Sequence, residues 1–553
     1  MGYLKGYSCP LKSYWANFIQ ATPHPQLMVL RALRDSFLGQ GLRLVAQPAW
    51  AQYREELDYP EIYITYVSKF EGQGSQVRTV DWYGLQDPEN PQNWSPTKKA
   101  WVVFVIGFYS FVVYMAAPVY SLAEDAFQDE FQVNSAEASL GLALYVYVLP
   151  LRFGAGTIKL NGYSLGYGVG ALLFSPLSEV PPIGRNVPYV VSFAIYIILS
   201  IPTAFAPDAV GFYLLRFLQG FFGSPCLATG GASISDVYHP DILPYPMTAW
   251  VYCIFCAPAV GTLIAGFVIP VLGWRFAMWE ILMAAGPALI CLLSLPETSA
   301  PTILHHRARR LQARDPSHLY LASTEIPPSW GTIIRESLLT PSRITLLDPI
   351  LFVNIYTSLV YGIYYSFFEA FPLVYGPIYH FNLGETGTAF LALAIGTTIS
   401  VIIYTLCNYT VLLPRAKSRA RQEPEEHLTP ALVACFGPPV ALLLFGWSSR
   451  PGIHWIIPTL GIILYPACVF VLMQSVFLYI PACYPRHAAS VFAASDFLRS
   501  AFACGAILFS RPMFINLGVG RGCSLLAGLT VACILGIYAL RFYGERLRVR
   551  RRW

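Results

Sequence analysis

The sequence predicts an all-α membrane protein with twelve transmembrane helices, and three observations support this. The chain of 553 residues is 55% hydrophobic and only 12% charged, whereas soluble domains carry roughly a quarter charged residues. Apolar windows of about 20 residues, the length that crosses the hydrocarbon core of a bilayer, recur along it. Lys and Arg cluster between these windows, so the net charge of +5 concerns membrane topology rather than nucleic acid. A water-soluble globule does not fit this composition.

Residues 1–98 contain no apolar run of spanning length, and we interpret them as a cytoplasmic N-terminal tail. The stretch 27–53 could form a helix that carries Arg31, Arg34 and Arg43. The composition favours the alternative, a partly ordered and solvated tail. The N-terminus lacks the features of a secretory signal, so we expect membrane insertion to use the first span.

Apolar windows of spanning length number twelve and fall into two groups of six. Residues 299–347, which separate the groups, are too charged to span and form the predicted cytoplasmic central loop. The predicted bundles cover 99–298 and 348–541, and a basic cytoplasmic tail covers 542–553. The twelve spans are placed at 100–122, 137–178 (interrupted), 188–206, 210–233, 247–269, 275–295, 349–372, 386–409, 429–447, 453–480, 487–509 and 520–541.

Charge sets the predicted orientation, because loops rich in Lys and Arg resist translocation. With an even number of spans, the basic loops all lie on one side, whereas the loop after span 1 is acidic. Both termini are therefore predicted to be cytoplasmic. The basic residues include Lys98, Lys99, Arg185, Arg415, Lys417, Arg419, Arg421, Arg486 and the arginines from Arg546 to Arg552, and the acidic ones are Glu124, Asp125, Asp129, Glu130 and Glu137.

The twelve cysteines are scattered, mostly in apolar stretches, and we interpret them as small core residues. Cys253 and Cys256 form a CxxC pair inside an apolar span, with no second pair and no nearby His. We therefore expect no metal site, redox site or cofactor.

An acid, a glycine and an arginine follow span 2: Glu179, Gly184 and Arg185. Such a charged latch can hold two helix ends together on the cytoplasmic face and bias an alternating-access equilibrium. A solvated turn with a weak surface ion pair explains the same residues equally well.

Span 4 carries Arg216 among apolar residues. A buried guanidinium is expensive in a membrane and is normally retained for a partner or a translocation pathway, which favours a functional role. The alternative is that Arg216 snorkels to the interface, since it lies within about two turns of the predicted helix start.

Span 5 contains Ala257, Pro258 and Gly261, with Gly266 further along. Small residues and a proline permit close packing and a bend, which suit helices that rock against each other. Ordinary packing is an equally good interpretation.

Span 11 contains Asp496 and Arg499, three residues apart and so on one helix face. Asp496 lies about 15 Å along the helix from its basic end, near the midplane of the membrane. Burial and Arg499 act in opposite directions on the proton affinity of this carboxylate. A titrating group and a structural ion pair both remain possible.

Two more acids, Glu369 in span 7 and Glu280 in span 6, lie toward the outer ends of their helices. Either could bind a proton or a cationic substrate, and either could be an interfacial carboxylate in contact with water. The chain also has 35 Tyr, 35 Phe and 12 Trp, enough to line a cavity with aromatic faces.

Together these segments resemble the twelve-span drug:proton antiporters of the major facilitator superfamily, in the branch of fungal multidrug exporters. The resemblance covers about residues 80–545. Its motifs lie at 87–95, 174–179, 183–186, 216–220, 273–275, 295–298, 368–372, 450–455 and 488–491.

The resemblance implies two pseudo-symmetric six-helix bundles around a cavity that opens alternately to either side. It implies a monomer in the plasma membrane that couples proton entry to the efflux of azole-like drugs, toxins or secondary metabolites. Glu179 and Arg185 would then form a gating latch, Arg216 would support proton coupling, and the span 5 segment would be the antiporter signature. The expected partners are a small organic substrate, protons and lipid, without nucleic acid.

The chain departs from the family pattern in spans 5 and 11. Family members usually have Gly where Ala257 stands and often a second proline where Thr262 stands, and they tend to have Asn in place of Ser495.

The largest departure is in span 2, where residues 147–164 introduce Arg152, Lys159 and Asn161. Removing this insertion would join Val146 to Leu165 and restore one continuous apolar span. We interpret it as a retained intron and hypothesise that the 553-residue form is not the working protein.

Three other functions remain open at this point. The chain could be an uptake transporter for a nutrient, or a membrane sensor that transports nothing, although sensors usually have seven spans rather than twelve. A membrane-embedded enzyme is the third alternative, but the sequence has no clustered His boxes, nucleophile elbow or Gly-rich phosphate loop.

Overall fold

The computed structural model of the chain describes residues 33–46, 52–57, 65–66, 77–140, 142–143, 166–316, 319–322, 348–414, 424–483 and 488–550. Several sequence predictions fall outside these residues. They concern the insertion at 147–164, residues 1–32 of the tail, residues 323–347 of the central loop, and the basic residues at 415–421 and 486.

Within the described residues, ten helical segments are long and apolar enough to cross a membrane. Their positions match predicted spans 1, 3 and 5 to 12 and confirm the all-α membrane architecture. The ten segments are Pro96–Leu122, Asn186–Ala204, Pro244–Leu272, Phe276–Leu293, Ile350–Tyr379, Leu383–Leu412, Pro424–Ser448, Ile456–Ile480, Val491–Leu517 and Val519–Arg546.

Spans 2 and 4 are occupied by shorter helices. At span 2 the structure describes Gly166–Glu179. At span 4 three helices follow one another, Ala209–Gly223, Pro225–Ala228 and Gly230–Val237. Pro225 has no backbone N–H and interrupts the hydrogen-bond ladder between the first two pieces. With these helices, the described residues are consistent with the predicted count of twelve spans.

The remaining bounds complete the architecture. Inside the ten spans, the α-helices are Pro96–Met115, Asn186–Ala204, Pro244–Leu272, Phe276–Leu293, Asp348–Tyr379, Leu383–Ala389, Leu391–Cys407, Ala431–Ala434, Gly437–Ser448, Ile456–Cys483, Ala488–Leu517 and Val519–Arg550. Helices outside the spans are Phe37–Ala46, Arg54–Leu57, Glu124–Phe131, Ser135–Ala138 and Ala300–Arg314. Single turns of 3₁₀ type lie at Pro91–Asn93, Pro118–Leu122 and Pro424–Leu428, and a π turn lies at Asn408–Leu412.

Several spans begin where the sequence supplies a cap. The Ser95 side chain accepts a hydrogen bond from the Lys98 amide at the start of span 1, and Pro96 occupies the first helical position. Asp208 caps span 4 in the same way, and Asn382 forms a capping box with Glu385 at span 8. These side chains satisfy amide groups that would otherwise lack partners at the helix start.

Glycines allow the two six-helix halves to approach closely along two seams. A Cβ at Gly266 of span 5 would lie 2.6 Å from the carbonyl oxygen of Leu383 in span 8. A Cβ at Gly168 of span 2 would lie 3.0 Å from the Cα of Phe497 in span 11. Small residues at such crossings let helix backbones pack directly in a membrane. The halves therefore meet along spans 5 and 8 and along spans 2 and 11.

Two faces of the helical bundle are distinguished below. We call the face where span 1 begins and span 12 ends the terminal face, and the other the opposite face. The described segments 33–46, 52–57, 77–95, 300–316 and 319–322 pack together on the terminal face. The helix Glu124–Phe131, which follows span 1, lies on the opposite face.

Arg307 organises the packing on the terminal face. Its guanidinium is fully buried and lies 2.9 Å from Glu55, 2.8 Å from Asp87 and 2.9 Å from Glu89. It also stacks 4.0 Å from the ring centre of Tyr83. One arginine of the central segment therefore binds three acids that precede span 1.

A small sheet reinforces this attachment. The strand Val77–Val80 pairs in parallel with Leu319–Ala322 and antiparallel with Thr65–Tyr66. The described parts of the predicted tail are thus packed against the central segment, unlike the solvated tail that the composition favoured. The helix Phe37–Ala46 lies inside the stretch for which a helix was the other interpretation.

Replacing Arg307 with alanine should release the segment before span 1. Burial acts to raise the pKa of Asp87, but hydrogen bonds from Arg307 hold it below its usual range. Removing one partner of a buried ionic cluster costs about 3–5 kcal/mol, so trypsin should cleave at Arg78 more than about tenfold faster. The control is Arg309→Ala, an exposed arginine of the same helix. Equal cleavage rates in the two variants would contradict this role.

Candidate translocation site

An ion pair is buried in span 11. The Nη2 of Arg499 lies 3.2 Å from Oδ1 of Asp496, and the two side chains are 2% and 1% exposed. The i, i+3 spacing on the helix Ala488–Leu517 brings them together, as the sequence predicted. Among the described residues, Oδ2 of Asp496 and Nε of Arg499 have no hydrogen-bond partner. The pair is therefore only half satisfied, which makes it sensitive to any change in its surroundings.

Four tyrosines lie beside this ion pair. The Tyr361 hydroxyl is 3.3 Å from that of Tyr114 and 3.4 Å from that of Tyr365. The rings of Tyr114 and Tyr167 meet edge to face, 6.0 Å between centres. A cavity of about 10 Å³ lies between them, room for about one water molecule. It is lined by Val113, Tyr114, Ala117, Tyr167, Tyr361, Tyr365 and Ser500.

Arg499 connects the ion pair to these aromatic side chains. Its guanidinium lies 5.7 Å from the ring centre of Tyr361 and 5.1 Å from that of Phe477, both within cation–π range. Tyr114 and Tyr167 belong to the first half, whereas Tyr361 and Arg499 belong to the second. The site therefore lies between the halves. When the halves separate, the tyrosines of the first half move away from Tyr361 and Arg499 of the second.

Arg216 lies elsewhere, buried in span 4, which excludes snorkelling. Its Nη2 donates hydrogen bonds to the carbonyl oxygens of Ala116 (3.0 Å) and Ala117 (3.3 Å). Here the helix Pro96–Met115 gives way to the turn Pro118–Leu122, and carbonyl groups at such a break need a donor in lipid. Arg216 therefore stabilises the break in span 1, and its part in proton coupling stays a prediction.

Glu369 and Glu280 are both buried, at 3% and 7% exposure, but neither belongs to the Asp496 site. Oε1 of Glu369 and both carboxylate oxygens of Glu280 have no hydrogen-bond partner in the described part of the chain. Glu369 lies near Glu124 and Arg511 on the opposite face. Because both side chains are buried, the structure argues against the interpretation that they are interfacial carboxylates in contact with water.

Arg185 makes its closest ion pair with a residue that the sequence did not suggest. Its Nε lies 3.2 Å from Asp236 at the end of span 4, and its Nη1 donates to the Ser178 hydroxyl at 2.9 Å. Glu179 also interacts with Arg185 electrostatically. The arginine therefore connects the ends of spans 2 and 4 at the terminal face.

Glu297 completes this junction. Its carboxylate accepts hydrogen bonds from the backbone N–H groups of Arg185 and Asn186, both at 3.1 Å. Glu297, which follows span 6, therefore caps the start of span 3. Burial raises the pKa of Glu297, against these hydrogen bonds, which lower it. Gly184 adopts a φ of +72°, and a Cβ there would lie 2.5 Å from Oε2 of Glu297. A glycine is therefore required beside this carboxylate.

The span 5 motif faces span 1 rather than the Asp496 site. A Cβ at Gly261 would lie 2.5 Å from Cγ of Met115. Ala257 and Pro258 are buried beside it, and the Thr262 hydroxyl donates to the Pro258 carbonyl at 2.9 Å. The motif thus supports close contact between spans 1 and 5, and its link to antiport stays a prediction.

Sequence reasoning missed several of these partners. Asp236 and Glu297 are far from Arg185 in the chain, and nothing in their spacing indicates the contact. The tyrosines were counted but not located, because no short motif joins spans 1, 2 and 7. Arg511 was a usable signal, because it lies two residues beyond the predicted end of span 11, on the same predicted side of the membrane as the acidic loop after span 1.

Comparisons with known proteins agree on one family. The sequence profile of the Major Facilitator Superfamily matches residues 100–508. The MFS-type transporter pyvG of Aspergillus violaceofuscus is 43% identical over 86% of this chain and 85% of its own. Fluconazole resistance protein 1 of Saccharomyces cerevisiae is 34% identical over 86% of each chain. The cycloheximide resistance protein of Candida maltosa is 33% identical over 86% of this chain and 85% of its own.

Solved structures show the same fold. The proton:xylose symporter XylE superposes with a TM-score of 0.57 at 12% identity, covering 81% of this chain and 96% of its own. The human organic anion transporter MFSD10 superposes with a TM-score of 0.53 at 15% identity, covering 79% and 99%. The arrangement of spans, the site between two halves and the profile match lead to one conclusion: the chain belongs to the Major Facilitator Superfamily.

Proposed function

We propose that this chain is a proton-coupled exporter of small organic molecules such as drugs, toxins or secondary metabolites. The observation that carries the proposal is the half-satisfied Asp496–Arg499 pair, buried between the two halves beside four tyrosines. Relatives named for resistance to fluconazole and cycloheximide support export as the direction. Basic residues near the terminal face support its placement in the cytosol, and the resemblance to fungal drug exporters supports the plasma membrane as the location.

Asp496 and Arg499 are suited to exchange a proton against a substrate. When the halves separate on one side, water reaches the carboxylate and can deliver or remove a proton. A proton on Asp496 leaves Arg499 without its counterion, so the arginine must turn to another acceptor or to a ring face. A substrate that occupies this space competes with that rearrangement, which couples its binding to the proton.

The aromatic walls indicate the chemical class of the substrate. Tyr114, Tyr167, Tyr361 and Tyr365 offer ring faces and edges with hydroxyl groups at their tips. Such surfaces bind flat, largely apolar molecules and tolerate variation in shape. The present volume of about 10 Å³ is far below the roughly 300 Å³ of a small ligand pocket. The halves must therefore move apart before a substrate enters.

The junction at Arg185 supports that movement. Arg185, Asp236 and Glu297 tie the ends of spans 2, 3, 4 and 6 together at the terminal face. Helices tied in this way move as one body, which rigid-body rocking requires. We propose that Glu179, Gly184 and Arg185 keep the first half rigid while the seams with the second half open and close.

Asp496→Asn should abolish proton-driven transport but retain exchange. The asparagine keeps the shape of the side chain and cannot carry the proton. In proteoliposomes, we expect substrate movement driven by an imposed pH gradient to fall at least about tenfold, since the variant loses proton exchange at the coupling group. Substrate-for-substrate exchange should remain within about threefold, because the aromatic walls are unchanged.

The control for this experiment is Asp129→Asn, an exposed acid on the opposite face. Full gradient-driven transport by Asp496→Asn would contradict the proposed coupling site. The same assay separates the other functions. An uptake transporter would move substrate with the proton rather than against it, and a sensor or an enzyme would show no gradient-driven flux.

Gly184→Ala should weaken the junction between spans 3 and 6. The left-handed backbone costs a residue with a Cβ about 1–2 kcal/mol, and the methyl group would also collide with Glu297. We expect a lower thermal unfolding midpoint in detergent and reduced efflux. Gly286→Ala in span 6 is the matched control, since a Cβ there meets open space. Equal midpoints would show that the close contact at Gly184 does not matter.

Deleting residues 147–164 should leave transport intact or increase it. The deletion rejoins two apolar segments into one span, so the hydrophobic match to the bilayer improves. Efflux of a xenobiotic panel from cells expressing the chain with and without these residues measures the effect. Sequencing the spliced transcript is the companion test: a message encoding residues 152–162 in an active transporter would refute the interpretation as an intron.

A further inference from the structure

On the opposite face, an arginine of the second half reaches two acids of the first. Arg511, in span 11, places Nη1 3.2 Å from Oε2 of Glu124 and Nη2 3.3 Å from Oδ1 of Asp125. Both acids begin the helix Glu124–Phe131, which follows span 1. These contacts join the halves at the end of the molecule remote from Arg185, so they must break when the halves separate there.

The two acids differ in their surroundings. The Asp125 side chain is 80% exposed, so water screens its charge, whereas that of Glu124 is 4% exposed. The Ser139 hydroxyl donates a hydrogen bond to Oε1 of Glu124. The Arg511 side chain is 20% exposed. Its attraction to the buried Glu124 carboxylate is therefore stronger than its attraction to the water-screened Asp125 carboxylate.

Glu369 adds a third carboxylate behind this contact. It is 3% exposed and makes no hydrogen bond or ion pair with a described residue. Glu124, Arg511 and Asp125 are the charged groups that act on it. Two tyrosines, Tyr120 of span 1 and Tyr213 of span 4, also face the cluster. Behind them, Arg216 acts on Tyr120 and Glu137 acts on Tyr213. Arg216 is held by the carbonyl groups of Ala116 and Ala117 and acts on neither glutamate directly.

The charges of this cluster do not balance. Leaving out the solvated Asp125, two buried carboxylates face one guanidinium. An ionised carboxylate without a counterion is prohibitively costly to bury, so such a group takes a proton instead. Two carboxylates that share a site cannot both ionise for the same reason. The closed contact therefore has room for one negative charge and one neutral acid.

We propose that Arg511, Glu124 and Glu369 form a proton-dependent lock: the opposite face closes only when the two glutamates together have taken up one proton. When this face opens, water solvates both carboxylates and the proton is released. When it closes, the ion pair with Arg511 satisfies one glutamate and the proton neutralises the other. Each closure thus binds one proton, and each opening returns it.

The lock deepens the proposed function and rests on it for its place in the cycle. If the opposite face is the outer one, an exporter that has released its substrate cannot close until it collects a proton from outside. Because the same proton returns to the outside at the next opening, the lock makes closure depend on the outer pH, while net proton entry stays with Asp496.

The lock is tested by the distance between the halves as a function of pH. Cysteines replace Ala126, exposed on the first half, and Leu517, exposed at the end of span 11. A membrane-impermeant nitroxide reagent labels them, and pulsed electron resonance gives the closed and open populations between pH 5 and 9. The chain without the two added cysteines, labelled in parallel, gives the background. No substrate is needed.

The native chain and two variants are expected to give three different pH slopes. In the native chain, closure binds one proton, so the closed-to-open ratio should rise about tenfold for each unit of falling pH. Glu369→Gln removes the surplus charge, so the ratio should change by less than about twofold per unit. In Arg511→Gln both glutamates need a proton, so the slope should steepen toward roughly a hundredfold per unit. Asp129→Asn, an exposed acid on the same helix, should keep the native slope.

A flat native profile, or one unchanged in Glu369→Gln, would overturn the lock. Glu369→Gln removes an unpartnered buried charge and keeps the side-chain volume, so its folding is not at risk. A purely structural contact would shift the populations in these variants without changing the slope. If Asp496→Asn retains gradient-driven transport, the proposed coupling site fails, while the lock still stands or falls by this substrate-free measurement.

Discussion

Inside a bilayer no water is available to satisfy a polar group, and the buried arginines of the described spans occupy positions set by that constraint. Arg216 donates to the carbonyl groups that the break in span 1 leaves without amide partners. Arg499 contacts Asp496 and two aromatic rings. Each of these charges lies where helices end, break or meet another half, which are the places where a transporter changes shape.

The need to satisfy buried polar groups also distinguishes contacts that hold one arrangement from contacts that can rearrange. The junction at Arg185 is well satisfied, because its guanidinium and the carboxylate of Glu297 both have several partners. The Asp496 and Glu369 carboxylates have atoms without partners in the described structure. Satisfied groups hold one arrangement, whereas incompletely satisfied groups gain from rearranging. The first half is thus held together at one face, and its contacts with the second half carry the unbalanced charge.

The sequence predicted what depends on short spacing. Apolar windows located the spans, and the interval of three residues placed Asp496 against Arg499. The sequence did not predict contacts between segments that are distant in the chain. Nothing in the spacing links Arg511 to Glu124, or Arg307 to Asp87, because these pairs form only after the spans have packed. Glu369 was singled out in span 7 with an interfacial carboxylate as the alternative, and its burial and the unequal count of charges around it required the fold.

The attachment of Arg307 has a consequence for the covalent link between the halves. The strand Leu319–Ala322 belongs to that link, yet it is held by Val77–Val80 from the other side of span 1. The described part of the link is therefore anchored to the first half up to Ala322. When the two halves rock against each other, this part of the link has to travel with the first half.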